Sequence, residues 1–413
     1  MPATSDTSEK INTRCCIAGG GPAGMMLGFL LARAGIEVVI LEKHADFLRD
    51  FRGDTVHPST LEVLYELGLL EGFLKRKHQE VRQLSGYIGP YRVPIADLSH
   101  LSTHCKFVAL MPQWDFLTFM AESAERYPTF RLQMESEAFD LIEDSGKIRG
   151  LRAKTKGGEI EIRADAVVAA DGRKSVLRTR AGLEVMQLSA PIDVLWMRIS
   201  RKPNDPGQVL GRIDAGKFLV MLDRDEYWQC AFLIPKGGLD ALRQKGLASF
   251  REKVAGIAPF LADRTNELRD WDDIKLLSVA VDRLRQWYRP GFICIGDAAH
   301  AMSPVGGVGI NLAIQDAVAA ANILAEPLRR NSVTERHLEN IQKRRMFPTR
   351  ATQALQIFIQ DRVITPTLKS TTKIQSLPLP LKLLGRMPIL RRIPARVIGM
   401  GFRPEHVRSP LAT

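Results

Sequence analysis

Cysteine is scarce in this chain of 413 residues. There are five, Cys15, Cys16, Cys105, Cys230 and Cys294, odd in number, scattered, and without a C-x-x-C pair. That excludes a disulfide framework and a dithiol redox centre, and it fits a reducing cytoplasm, the expected location. No internal repeat, low-complexity tract, recognisable targeting segment or metal-ligand cluster stands out. Acidic residues are missing from the tail. Residues 341–413 hold fourteen Lys and Arg against Asp361 and Glu405, so this segment carries the whole net charge of +12. The remaining body is neutral, which argues against a nucleic-acid-binding surface, where basic residues line a groove beside stacking aromatics. Charge is also missing from residues 15–32, a run long enough to cross a membrane and preceded by Arg14. Four glycines and a proline before Met25 stand in an order that a lipid-facing helix does not need.

That order has a different use. A short apolar strand ending at Ile17 runs into Gly19, which permits a tight turn. Gly21 removes a side chain where a pyrophosphate approaches the backbone, and Gly24 lets the following helix pack against the strand, with Pro22 and Ala23 at the helix start. The helix N-terminus offers free N–H groups and a partial positive charge. Residues 38–41 form a second strand, and Glu42, with Lys43 beside it, falls roughly 20 residues beyond the glycines. A carboxylate there accepts from both ribose hydroxyls and repels a 2′-phosphate, which favours FAD or NAD over NADP.

Further along, a helix is expected from Pro58, with Leu61, Leu64, Leu67 and Leu70 recurring on it, then a hairpin-rich excursion over residues 81–95. Residues 113–127, 239–254, 309–328 and 341–360 read as helices, and 191–234 as a strand-dominated region. Two more motifs follow the glycines. Ala166-Val-Val-Ala-Ala-Asp-Gly-Arg-Lys-Ser-Val-Leu-Arg178 is a buried strand delivering Asp171 to a turn, with Arg178 on the helix behind it. Ile295-Gly-Asp-Ala-Ala-His-Ala-Met-Ser-Pro-Val-Gly-Gly-Val-Gly-Ile-Asn-Leu312 brings Asp297 to a strand end beside Gly296, where a ligand can come close. Pro304, Gly306, Gly307 and Gly309 leave bare N–H groups at the start of a helix opening with Ile310 and Asn311. Those donors can stabilise negative charge growing on a reduced flat ring.

In order, the three motifs resemble those of the FAD-dependent aromatic hydroxylases, the group A flavoprotein monooxygenases of the para-hydroxybenzoate hydroxylase type, over roughly residues 14–328. The resemblance implies an α/β fold: a Rossmann-like FAD-binding domain interleaved with a β-sheet substrate domain, plus a helical C-terminal segment. The implied divisions are 1–80, 111–187 and 286–330 for FAD, 81–110 and 188–285 for substrate, and 331–413 for the basic tail. It also implies that Arg52 faces the FAD pyrophosphate, Gln113 the ribityl chain, Asp171 and Arg178 both FAD and NAD(P)H, and Asp297 a ribityl hydroxyl. His300 is expected to pack behind the cofactor.

The implied reaction is hydroxylation of an aromatic ring with NADH or NADPH, bound transiently, and dioxygen, through a flavin hydroperoxide. No second glycine fingerprint provides a separate nicotinamide domain, and the W-x-W-x-I-P signature of flavin-dependent halogenases is absent. A reductase or dehydrogenase without oxygen insertion and a flavin-containing protein that sequesters an aromatic compound remain open. Alternation in the region 191–234 offers Met197, Val220, Leu222 and Trp228, with Pro304 and Val305, as pocket residues for a lipophilic or polycyclic substrate. Arg198, Arg212 and Tyr227 are further candidates there, and no catalytic residue is assigned. The tail mixes bulky apolar residues with arginines. Contact with an anionic membrane competes with a clasp of short helices over the FAD lobe or a dimer partner, and four prolines within residues 377–402 favour the clasp. A monomer and a homodimer are both compatible.

Overall fold

The first strand, Glu9–Ala18, lies between two parallel neighbours, Val38–Leu41 on one side and Gly158–Ala169 on the other. The computed structural model describes residues 9–48, 55–206 and 211–412. Among them, Phe130–Gln133 extends the sheet beyond Val38–Leu41, and Phe292–Cys294 extends it beyond Gly158–Ala169, all in parallel. Strand order therefore reverses at the first strand, and its carboxyl end opens into the crevice where such sheets bind ligands. Residues 15–18 and 38–41 are uniformly apolar and buried, as strands of a covered parallel sheet must be. The helices Pro22–Arg33 and Gly309–Arg329 pack on one another and on this strand. The second of these is apolar and long enough to span a membrane, yet its apolar stretch is 72% buried, so its hydrophobicity serves the core.

A second sheet stands apart from the first. Its order is Lys275–Leu277, Ile192–Ser200, Tyr227–Pro235, Lys217–Asp223, Gly211–Asp214, Gln83–Ile88 and Tyr91–Asp97. Pairing is antiparallel except between Gly211–Asp214 and Gln83–Ile88, where the early excursion joins the later strands. Behind this sheet, the stretch 239–254 is not one helix but two, Leu239–Gln244 and Leu247–Ile257. Gly246, at φ 82°, adopts the left-handed backbone that ends one helix and starts the next.

The tail forms a clasp of short helices, as expected, but over more than one lobe. The helix expected over 341–360 begins earlier, at Glu335, where Thr334 and His337 form a reciprocal cap. The short helices Leu379–Arg386 and Arg392–Met400 pack on Tyr91–Asp97, the edge strand of the second sheet, and Arg392–Met400 also touches the Pro58–Glu66 helix, so the clasp spans both lobes. Ala395 and Met400 join a core cluster there with Leu98 and Leu101. The last residues run back along the first lobe, where the Ala412 N–H donates to the Arg33 carbonyl at 2.9 Å.

Candidate active site

At the end of the first strand, Gly19 has φ 109°, and a Cβ on it would lie 2.3 Å from the Ala170 carbonyl oxygen. A Cβ on Gly24 would lie 1.9 Å from the Gly19 carbonyl oxygen, so these two glycines are demanded by the protein's own packing. Gly21 differs. Its backbone is extended, and nothing lies within 4 Å of where its Cβ would stand. That space belongs to a large cleft bordered by Gly19, Gly21, Pro22 and Ala23, with Glu42 and Lys43 at one end beside Ser136. Glu42 Oε2 accepts from the Gly20 N–H at 3.0 Å, and Oε1 accepts from the His44 N–H at 3.1 Å, which fixes the carboxylate at the strand end.

Asp171 also borders the cleft. Its Oδ2 accepts from the Val176 and Leu177 N–H groups at 3.0 and 3.4 Å, while Oδ1 is buried with no hydrogen-bond partner among the described residues. Burial raises its pKa, partly offset by these hydrogen bonds and one from Ser175. Arg178 does not line the cleft, contrary to the expectation that it faces the cofactor. Its guanidinium is buried, donates to the Arg173 and Ala298 carbonyls at 2.6 and 3.3 Å, and sits 3.6 Å from Asp282. Left alone, the buried Asp282 carboxylate would be an uncompensated charge, and Arg178 answers it while tying the Asp171 turn to the Asp297 turn. Arg173 and Lys174 of the same motif border the cleft instead, and Arg173 Nε lies 3.1 Å from Asp297 Oδ2. Their charge was the one available signal.

Gly296, at φ 58°, donates its N–H to Asp316 Oδ2 at 3.1 Å behind the cleft. His300 Nε2 meets the same oxygen at 2.6 Å and Arg345 Nε the other carboxylate oxygen at 2.8 Å, so His300 lies behind the site among buried charges. Burial alone would raise the Asp316 pKa, but His300 and Arg345 outweigh it and hold it low.

In front, Pro304, Val305, Gly307, Gly309, Ile310 and Asn311 all border the cleft. Asn311 Oδ1 accepts from the His57 N–H and the Thr60 hydroxyl at 2.8 Å each, and its amide donates to the Thr55 carbonyl at 3.1 Å. This latches the start of the long helix to residues 55–60. Three buried glutamines on one face of the 335–359 helix and its continuation hold the preceding backbone. Gln353 donates to the Asp282 and Ala301 carbonyls, Gln356 pairs with Ser303, and Gln360 reaches the Ser303 hydroxyl. Sequence reasoning missed them, although their spacing of three and four residues was a signal that one helix face is polar and committed.

The sheet of residues 192–235 has two faces. Val194, Trp196, Val220, Leu222, Ala231 and Leu233 look into the cleft. Met197 and Trp228, expected as pocket residues, point the other way. They pack with Cys230, Phe232 and Phe250 against the Leu247–Ile257 helix, and the Trp228 indole N–H donates to Asp205 at 2.8 Å. Helices cover that side, so its large side chains form core. Gln113 borders the cleft at the start of its helix, whereas Arg52 lies outside the described residues.

These residues fit FAD. Two helix N-termini, at Gly21 and Val308, open on one cleft and carry no side-chain cap among the described residues, so their N–H donors are available to an anionic ligand. Asp171 and the open position at Gly21 border the same space. The class so defined is a flavin-binding oxidoreductase. The FAD binding domain family matches residues 12–355, and the chain belongs to it, among the FAD-dependent aromatic hydroxylases. It is 32% identical to the 6-methylpretetramide 4-monooxygenase of Streptomyces rimosus, over 98% of this chain and 96% of that one. It is 27% identical to the rifampicin monooxygenase of Streptomyces venezuelae over 73% of this chain, spanning 61% of that longer protein. The fold superposes on the crystal structure of PqsL, a probable FAD-dependent monooxygenase from Pseudomonas aeruginosa, with a TM-score of 0.73 at 22% identity, covering 87% and 97% of the two chains.

Proposed function

We propose that this enzyme hydroxylates a lipophilic, polycyclic aromatic molecule, with NADH or NADPH as reductant and dioxygen as the oxygen source. One observation carries the reading. The cofactor-binding glycines and the apolar face of the second sheet line a single continuous cavity of about 2190 Å³, well beyond the ~300–1,000 Å³ of an ordinary ligand site. An extended dinucleotide therefore leaves a broad apolar chamber beside its reactive end. Similarity to a 6-methylpretetramide 4-monooxygenase along nearly the whole chain supports the hydroxylase reaction and a substrate of that size.

Bound FAD supplies the redox chemistry, accepting a hydride and activating dioxygen. The chain's own contributions are positional and electrostatic. N–H groups at the start of the Gly309–Arg329 helix stabilise negative charge at the inner end of the cleft. Arg173 and Asp297 hold each other at the cleft wall. Val194, Val220 and Leu233 exclude water from the chamber. The test is NAD(P)H oxidation by the FAD-loaded protein across a panel of aromatic compounds, with product mass determined. Stimulated oxidation with a product heavier by one oxygen atom is expected. Reduction of the compound without oxygen gain, or binding without NAD(P)H oxidation, would replace this reading with a reductase or a sequestering protein.

A further inference from the structure

Residues 362–404 contain nine Lys and Arg and no Asp or Glu. Within them the helices Leu379–Arg386 and Arg392–Met400 bury one face on the second sheet and leave bulky apolar side chains on the other. Leu379 is 69% exposed, Ile389 59% and Ile393 65%; Leu383, one turn beyond Leu379, and Met387, just past the helix end, are exposed as well. Lys382, Arg386, Arg392 and Arg396 stand among them, exposed and with no ion pair among the described residues. Monomeric surfaces rarely group apolar side chains this way without a partner.

This face adjoins the cavity. Ile374 and Leu381 line it, as do Phe358 and Val363, both of which are also exposed to solvent. Apolar side chains interleaved with basic ones, and no acid, are the pattern of a helix lying in the headgroup region of an anionic bilayer. We propose that the 379–396 face docks on an anionic lipid surface, with the cavity mouth opening toward the lipid. The docking stands on the exposed face itself; the entry of substrate from the lipid rests on the lipophilic substrate proposed above. A second copy is a poorer occupant, because two such faces would bring uncompensated positive charges together.

The test uses the full-length, FAD-loaded protein in sedimentation with vesicles of phosphatidylcholine alone or mixed with phosphatidylglycerol. Sedimentation with the anionic vesicles only, weakened by salt, is expected. Neutralising Lys382→Gln, Arg386→Gln and Arg392→Gln together should weaken it by about 100-fold, roughly fivefold per basic residue near an anionic surface. The triple exchange Leu379→Ser, Ile389→Ser and Ile393→Ser should abolish it. Flavin absorbance and thermal unfolding should be unchanged in both variants, since the replaced side chains are exposed. Absence of sedimentation at low salt, or equal sedimentation of either variant, overturns the proposal. So does a dimer dispersed by the serine variant, or binding to an acidic protein, when vesicle binding is lacking. Vesicle binding without any aromatic compound stimulating NAD(P)H oxidation leaves docking in place and removes the substrate reading alone.

Discussion

Gln356 and Ser303 grip each other in both directions: the Ser303 N–H donates to Gln356 Oε1 at 3.1 Å, and Gln356 Nε2 donates back to the Ser303 carbonyl at 2.9 Å. The same amide also donates to the Val305 carbonyl at 2.8 Å. A side chain 53 residues downstream thereby sets the backbone that leads into the Gly309–Arg329 helix at the cleft.

Gln356→Leu strands these backbone groups in a buried place, at ~1–3 kcal/mol for each unsatisfied group. Three groups lose their partner, so we expect a loss of about 3 kcal/mol or more in stability, together with weaker retention of FAD. Thermal unfolding and flavin absorbance after gel filtration check it. Unchanged values for both would mean that the pair is incidental.

Gly21 and Gly24 should separate binding from folding. Gly21→Val is expected to fold with near-normal apoprotein stability, because its site is extended and open, and to lose FAD by filling the phosphate approach. Gly24→Ala drives a Cβ into the Gly19 carbonyl and should cost stability, on the order of 1–3 kcal/mol or more. Flavin titration against unfolding curves distinguishes them, and a Gly21→Val protein that still binds FAD tightly contradicts the phosphate assignment.

Asp297→Ala removes a cleft carboxylate and leaves Arg173 without its partner. FAD content is expected to fall sharply, and Asp297→Asn should recover part of it by keeping an acceptor. Equal flavin content in wild type and Asp297→Ala would discard the ribityl role.

His57 donates from Nδ1 to the Ile398 carbonyl at 2.6 Å, joining the tail to the start of the Pro58–Glu66 helix. Burial pushes its pKa down from 6.5 to about 4, against a smaller upward pull from that hydrogen bond. On acidification the unfolded chain takes the proton first. Stability contributed above pH 6.5 is therefore lost as pH falls from 6.5 to about 4, by roughly 3 kcal/mol in all. Denaturant midpoints measured across that window should show the slope in wild type and a flatter profile in His57→Gln; parallel profiles would refute it.

The two sheet faces make a further contrast. Ala231→Trp should cut kcat/KM for a polycyclic substrate by about tenfold or more, since a missing near-attack geometry readily costs that much, while leaving FAD content intact. Met197→Ala should cost about 2–4 kcal/mol of stability, as core truncations do, without shifting substrate saturation. Reversal of these two patterns would place the pocket on the other face.

The sequence by itself determined the parts whose requirement is local. A glycine that must adopt φ 109°, or must let a helix approach a strand, shows as Gly19 or Gly24 whatever surrounds it, and an acid at a strand end shows as Glu42. The order of three such motifs was enough to define the family and the cofactor. Tertiary structure decided what depends on neighbours far along the chain. Alternation separated Val220 from Met221 and Trp228 from Ala231, but which set meets the cleft followed from the Leu247–Ile257 helix covering the opposite face. Arg178 and Arg173 lie five residues apart with the same charge; only the buried Asp282 turned one inward, and only Asp297 drew the other into the cleft. The tail's composition permitted a clasp or a docking face, and the packing of Ala395 and Met400 on the second sheet, with Ile389 and Ile393 left in solvent, gave it one side for each.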